Sequence, residues 1–111
     1  MSGLDESNKT YNDDQSAIAD VLNGGGVNGA LTVGTSSVEA KVGGSALSGR
    51  KTIMIQPLDN TVYLGFSSGV TSSNGIRLSS GQIVILPVGD QTAVWLIGSA
   101  AGRNVRIAEV A

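Results

Sequence analysis

Residues 50–65 read Arg-Lys-Thr-Ile-Met-Ile-Gln-Pro-Leu-Asp-Asn-Thr-Val-Tyr-Leu-Gly (RKTIMIQPLDNTVYLG). Two short runs rich in β-branched and aromatic residues flank residues 57–60, where proline, aspartate and asparagine favour a turn. We therefore predict two strands, 50–56 and 61–66, joined as a hairpin. The first run is apolar on both faces, which is typical of a central or interface strand.

Similar short strand-like runs continue on both sides of this segment, from Leu31 to the C-terminus. Gly- and Ser-containing turns separate them at spacings of about eight to twelve residues. About seven or eight strands at this spacing, without helical crossovers, predict an all-β antiparallel β-sandwich or jelly-roll-like domain. The predicted core consists of Val38, Val42, Leu47, Ile53, Ile55, Val62, Leu64, Ile76, Ile83, Ile85, Val94, Leu96 and Ile107.

Residues 1–30 differ in kind from this body, residues 31–111. They carry five acidic side chains and one lysine, a net charge of −4, whereas the body carries six basic and four acidic side chains, a net charge of +2. Residues 13–22 predict a short helix with an acidic first turn, and glycines 24–26 follow as a hinge. We interpret 1–30 as a flexible docking arm whose short helix packs either on its own domain or on a neighbour. Its candidate contact residues are Tyr11, Ile18, Val21 and Leu22.

The composition argues against catalysis. The chain of 111 residues contains no His and no Cys, which removes the commonest general base and the usual soft metal ligands. Two of the four body carboxylates, Asp59 and Asp90, lie in predicted turns, and the other two, Glu39 and Glu109, take solvent-facing strand positions. No nucleophile elbow or phosphate-binding loop occurs. We therefore expect no enzyme activity, no cofactor and no metal site.

Other classes of function are also disfavoured. The body is too close to neutral for the basic surface that nucleic-acid binding requires. No apolar run approaches the roughly 20 residues of a membrane span, and the first residues lack a signal-peptide pattern, so we expect neither a membrane partner nor a signal peptide.

Three features of the body are candidates for contact with a partner. Trp95 is out of phase with Val94 and Leu96, so it either anchors an interface or joins a second apolar cluster. Arg50 is a candidate donor of interface salt bridges. The Gly- and Ser-rich loop 67–75 is either a ligand-binding loop or a plain connection.

Several motifs together resemble small virion proteins of tailed bacteriophages. They are RKTIMIQ at 50–56, VYLG at 62–65, GVT at 69–71, GIRL at 75–78, VWLI at 94–97 and VRIAE at 105–109. The resemblance covers residues 31–111. It implies a capsid decoration (cement) or head-fibre protein that is made in the host cytoplasm and resides in the virion.

The resemblance also implies a homo-oligomer, most simply a trimer, bound to the major capsid protein or another virion protein. A tail, neck or fibre-base component is the alternative within the same class. A carbohydrate-binding module that uses loops such as 67–75 is the alternative from a different class.

Overall fold

The computed structural model describes residues 24–111, which form eight β-strands and no helix. This part of the chain therefore has no helix that could cross a bilayer. The predicted arm helix, and with it Tyr11, Ile18, Val21 and Leu22, lies outside the described residues. The strands are β1 (Gly26–Val33), β2 (Val38–Glu39), β3 (Thr52–Pro57), β4 (Val62–Gly65), β5 (Ile76–Leu78), β6 (Val84–Leu86), β7 (Trp95–Gly98) and β8 (Arg103–Val110).

The strands form two four-stranded antiparallel sheets. Sheet A has the order β1-β8-β3-β6, and sheet B has the order β2-β7-β4-β5. Every neighbouring pair is antiparallel. The chain passes between the sheets at most of its connections, which is the jelly-roll arrangement of an eight-stranded sandwich. The predicted fold class is confirmed.

Strands β3 and β4 do not form the predicted hairpin, because they lie in different sheets. The connection between them is held on the start of β8 instead: Leu58 N donates to Asn104 O at 2.9 Å, and Asp59 Oδ1 accepts from Asn104 N at 2.9 Å. Asn60 has a φ of 146°, a conformation that asparagine tolerates better than most residues. The turn residues correctly predicted that the chain changes direction at 57–60. They did not predict which strand pairs with β3.

The core lies between the sheets and is formed by the inward side chains at alternate positions along the strands. Ile53 and Ile55 of β3, Val105 and Ile107 of β8, and Leu64 of β4 are all buried. Each such side chain stabilises the fold by about 1.5–3 kcal/mol relative to an exposed position. Val38 and Val42 are only partly buried, but they pack against this cluster as predicted.

Three predicted core residues are exposed. Ile83 is 57% exposed, Ile85 is 61% exposed and Ile76 is 61% exposed. In the segment around β6 the neighbours Val84 and Leu86 pack on the core instead. Residues 83–86 are apolar at every position, so alternation could not decide which face of this strand turns inward.

Sheet A begins before the predicted boundary between residues 30 and 31. Strand β1 pairs with β8 from Gly26 onward. Gly24 N donates to Ala111 O at 2.7 Å, and Ala111 N donates to Gly25 O at 2.9 Å. A Cβ at Gly24 would lie 2.5 Å from the carbonyl carbon of Ala111. These two glycines therefore hold the chain closely against its C-terminus rather than forming the predicted hinge.

Candidate functional site

Arg50 and Glu109 form a fully buried ion pair. Arg50 Nη1 donates to Glu109 Oε2 at 2.9 Å, and neither side chain is exposed. Glu109 lies on β8 in phase with the inward residues Val105 and Ile107. The predictions of a solvent-facing Glu109 and an interface role for Arg50 are therefore wrong, because each charge is neutralised inside its own chain.

The same pair holds two loops on sheet A. Glu109 accepts a hydrogen bond from Val42 N at 2.9 Å and another from Leu47 N at 3.0 Å. The Arg50 guanidinium donates to carbonyl oxygens of the loop after β6, those of Val88, Gly89 and Thr92, at 3.3, 2.9 and 2.7 Å. The ion pair therefore fixes the loop between β2 and β3, and the loop after β6, to sheet A.

Glu109 stays ionised in this setting. Burial raises the pKa of its carboxyl group, but the hydrogen bonds from Leu47 N, Val42 N and Arg50 outweigh burial and bring the pKa below its ordinary value. Both carboxylate oxygens are occupied by donors. The Glu109 carboxylate therefore stabilises the fold, and both of its oxygens are already engaged, which argues against a role in acid–base chemistry.

The other carboxylates of the body also serve structural contacts. The Asn104 backbone N–H, with the Asn104 side chain, lowers the pKa of Asp59, and the Gly49 N–H lowers that of Asp90. Glu39 Oε1 lies 3.7 Å from Lys41 Nζ near the surface. Within residues 24–111, no group of three or more His, Cys, Asp or Glu side chains is placed to hold a metal ion.

The outer side of sheet A carries an apolar face, which we define as Met54, Ile83, Ile85 and Ala108. Met54 lies opposite Ile85 on one side and opposite Ala108 on the other. A shallow depression of about 280 Å³ lies on this face, and its lining also includes Gln56 and Arg106. The sequence does not predict this face, because Ile83 and Ile85 belong to an apolar run whose pattern places them in the predicted core.

Trp95 lies on the outer side of sheet B. It pairs with Glu39 and Gly65, while Val94 and Leu96 are fully buried. The prediction that Trp95 points away from those two residues is confirmed. Its role as an interface anchor stays a prediction.

The loop 67–75 is ordered by its own hydrogen bonds. Asn74 Oδ1 accepts from Thr71 N at 2.7 Å, and Asn74 Nδ2 donates to Gly69 O at 3.3 Å. Val70 is buried beneath the loop. Beside it, a depression of about 400 Å³ is lined by Tyr63, Ile97 and several hydroxyl side chains, those of Thr35, Thr71, Ser72 and Ser99.

Comparisons with known proteins give likeness of fold alone. No protein-family model matches the chain, and no curated protein matches it. A protein of Neisseria meningitidis of known crystal structure is 11% identical, with 79% of this chain and 76% of that chain covered and a TM-score of 0.49. A cupin superfamily protein of Desulfitobacterium hafniense is 10% identical, with 79% and 80% covered and a TM-score of 0.47. At these identities and scores, the likeness says nothing about activity or partners.

Proposed function

We propose that this chain is a structural virion protein of a tailed bacteriophage, a capsid decoration protein that binds and stabilises the head shell, and not an enzyme. The observation that carries the proposal is the apolar face. It lies on a β-sheet of a protein whose buried charged side chains Arg50 and Glu109 bind each other and the backbone of the same chain. A protein with this division of residues is suited to adhesion.

The apolar face is suited to contact with another protein. Ile83 and Ile85 lie two residues apart on the outer side of sheet A, and each residue is more than half exposed. Covering both would contribute roughly 2–4 kcal/mol to binding, taking their exposed share of the usual burial free energy. A contact of this strength is weak alone, but many copies on one shell raise the effective concentration of each.

The surroundings of the face favour a protein partner. Gln56 and Arg106 offer hydrogen-bond donors at the border of the depression, and such a polar rim gives direction to an apolar contact. The partner in this proposal is the major capsid protein, and the residence of the chain is the virion. The arm residues Ile18, Val21 and Leu22 would add a second contact.

Binding to empty heads, assembled from the major capsid protein of the phage that encodes this chain, tests the proposal. We expect Ile85→Ser to weaken co-sedimentation by about tenfold, which corresponds to about 1.4 kcal/mol. Ile76→Ser is the matched control, because Ile76 has the same exposure of 61% but lies on sheet B. Equal binding by both variants and the unchanged chain would contradict the proposal.

The arm and the location on the particle are tested in related assays. Ile18→Ser combined with Leu22→Ser should weaken the same co-sedimentation if the arm contributes. Labelled antibody on intact particles should mark the head. A label confined to the tail, neck or fibre base would move the assignment to the alternative within the same class.

A carbohydrate-binding module is the second candidate. The depression beside loop 67–75 supports it, because Tyr63 offers an aromatic surface and the surrounding hydroxyls offer hydrogen bonds to a sugar. A glycan array that yields a signal abolished by Tyr63→Ala would favour this function. An array without signal would remove it.

A further inference from the structure

The edges of the two sheets differ sharply in length and chemistry. Within residues 24–111 the edge strands are β1, β2, β5 and β6. Strand β2 has two residues, β5 has three and includes Arg77, and β6 has three and is followed by Pro87. Strand β1 has eight residues, GVNGALTV, with no charge and no proline. Natural proteins protect exposed edges with short strands, charge or proline, and β1 has none of these.

The hydrogen bonds of β8 show which backbone groups of β1 point outward. Lys51 N donates to Val110 O at 2.7 Å and Leu58 N donates to Asn104 O at 2.9 Å, so even-numbered residues of β8 face β3. In an antiparallel ladder consecutive residues face opposite neighbours, so the odd-numbered residues of β8 face β1. The register then directs odd-numbered residues of β1 toward β8. The N–H and C=O groups of Gly26, Asn28, Ala30 and Thr32 point away from the sheet.

These four outward residues leave room for another strand. Their side chains are small, uncharged and exposed. No other strand of residues 24–111 lies beside them. An approaching strand would meet four pairs of backbone groups that no strand of residues 24–111 uses, and no bulky or charged side chain.

We propose that β1 pairs with β1 of a second copy of this chain, antiparallel and around a two-fold axis at Gly29. Asn28 of each copy then lies opposite Ala30 of the other, and Gly26 lies opposite Thr32. This register uses every outward residue of both strands. Each of the four pairs exchanges two hydrogen bonds, which gives about eight in total. The contact is self-complementary and closed, as a two-fold interface requires.

The pairing joins two copies of sheet A into one eight-stranded sheet. Paired residues of an antiparallel sheet project to the same side. Both apolar faces therefore lie on one side of the joined sheet, where a single partner surface can contact both. This consequence rests on the proposed function, whereas the pairing of β1 does not.

Sedimentation of the full chain without any shell protein tests the pairing. We expect a mass of twice 11.2 kDa for the unchanged chain. Ala30→Pro removes only an outward N–H and keeps every bond between β1 and β8, because proline is tolerated on an edge strand. We expect it to weaken association at least about a hundredfold. Ala30→Ser, the matched control, should remain a dimer.

Several results would overturn the pairing. They are an unchanged chain that sediments at 11.2 kDa or at three times that mass, and a folded Ala30→Pro variant that remains a dimer. Because the assay contains no shell protein, these results leave the proposed shell binding untouched.

Hydrogen exchange on the unchanged chain provides a second test that needs no variant. The amides of Asn28, Ala30 and Thr32 should gain protection as protein concentration rises. Protection that is independent of concentration would indicate that β1 pairs with another segment of the same chain. Absence of protection would indicate that β1 pairs with nothing. Either result would contradict pairing between copies.

Discussion

Replacing Glu109 with glutamine is expected to lower the free energy of unfolding by about 3–5 kcal/mol. The substitution keeps the shape of the side chain but removes its charge. Arg50 would then be left buried without a counter-ion. The total stability of a small domain is about 5–15 kcal/mol, so this single change would remove a large share of it.

The magnitude follows from the contacts of the carboxylate. Oε1 accepts from Val42 N, and Oε2 accepts from both Leu47 N and Arg50. A glutamine side chain has one acceptor oxygen, so its NH₂ group must face at least one of these donors. Each buried donor without a partner costs about 1–3 kcal/mol, and more when it is charged.

Urea titration followed by the fluorescence of Trp95, the single tryptophan, measures the effect. With a denaturant slope of about 1–3 kcal/mol per molar, a loss of 3–5 kcal/mol lowers the midpoint by about 1–5 M. Glu39→Gln is the control, because the half-buried Glu39–Lys41 pair, with 3.7 Å between Glu39 Oε1 and Lys41 Nζ, lies near the surface and should contribute at most about 1 kcal/mol. All variants are compared at one protein concentration, since association would shift the midpoint.

A midpoint for Glu109→Gln within about 0.3 M of the unchanged chain would refute this account of the pair. A double variant, Arg50→Met with Glu109→Leu, gives a further check. Simple buried ion pairs are often replaced by apolar residues without loss. Here the double variant should remain destabilised, because five backbone groups lose their partners: Val42 N, Leu47 N, Val88 O, Gly89 O and Thr92 O.

Two other predictions concern pH and close packing. Because the folded-state pKa of Glu109 lies below its ordinary value of 4.5, its contribution to stability is full above about pH 5 and is lost as pH falls through the folded-state pKa. Urea midpoints measured between pH 7 and pH 3 should therefore fall in the unchanged chain and fall less in Glu109→Gln; parallel curves would contradict this. Gly65→Ala should lower the free energy of unfolding by about 1–3 kcal/mol. The new Cβ would lie 2.7 Å from Cγ2 of Val70, and the Val70 side chain is buried and has little room to move. Gly44→Ala, which has no neighbouring atom within 4 Å, should change it little, and equal midpoints for the two would refute the packing argument.

The candidate site was less predictable than the fold. The in-phase spacing of Val105, Ile107 and Glu109 indicates that Glu109 faces inward, but carboxylates are usually exposed, which favours the opposite prediction. Its partner Arg50 lies 59 residues earlier in the chain, which no local pattern reveals. The exposed Ile83 and Ile85 were missed for a different reason, since their run has no polar position to mark the outer face.

The sequence by itself determined that the body is all-β and antiparallel. Alternation with a period of two, as in Ile53–Ile55 and Val94–Leu96, sets strands and faces through local geometry. Only the tertiary structure decided that β3 pairs with β8 and not with β4, and that Arg50 meets Glu109. The physical reason is that a strand carries its alternation within itself, whereas its neighbour in the sheet and the partner of a buried charge are chosen by packing between distant parts of the chain.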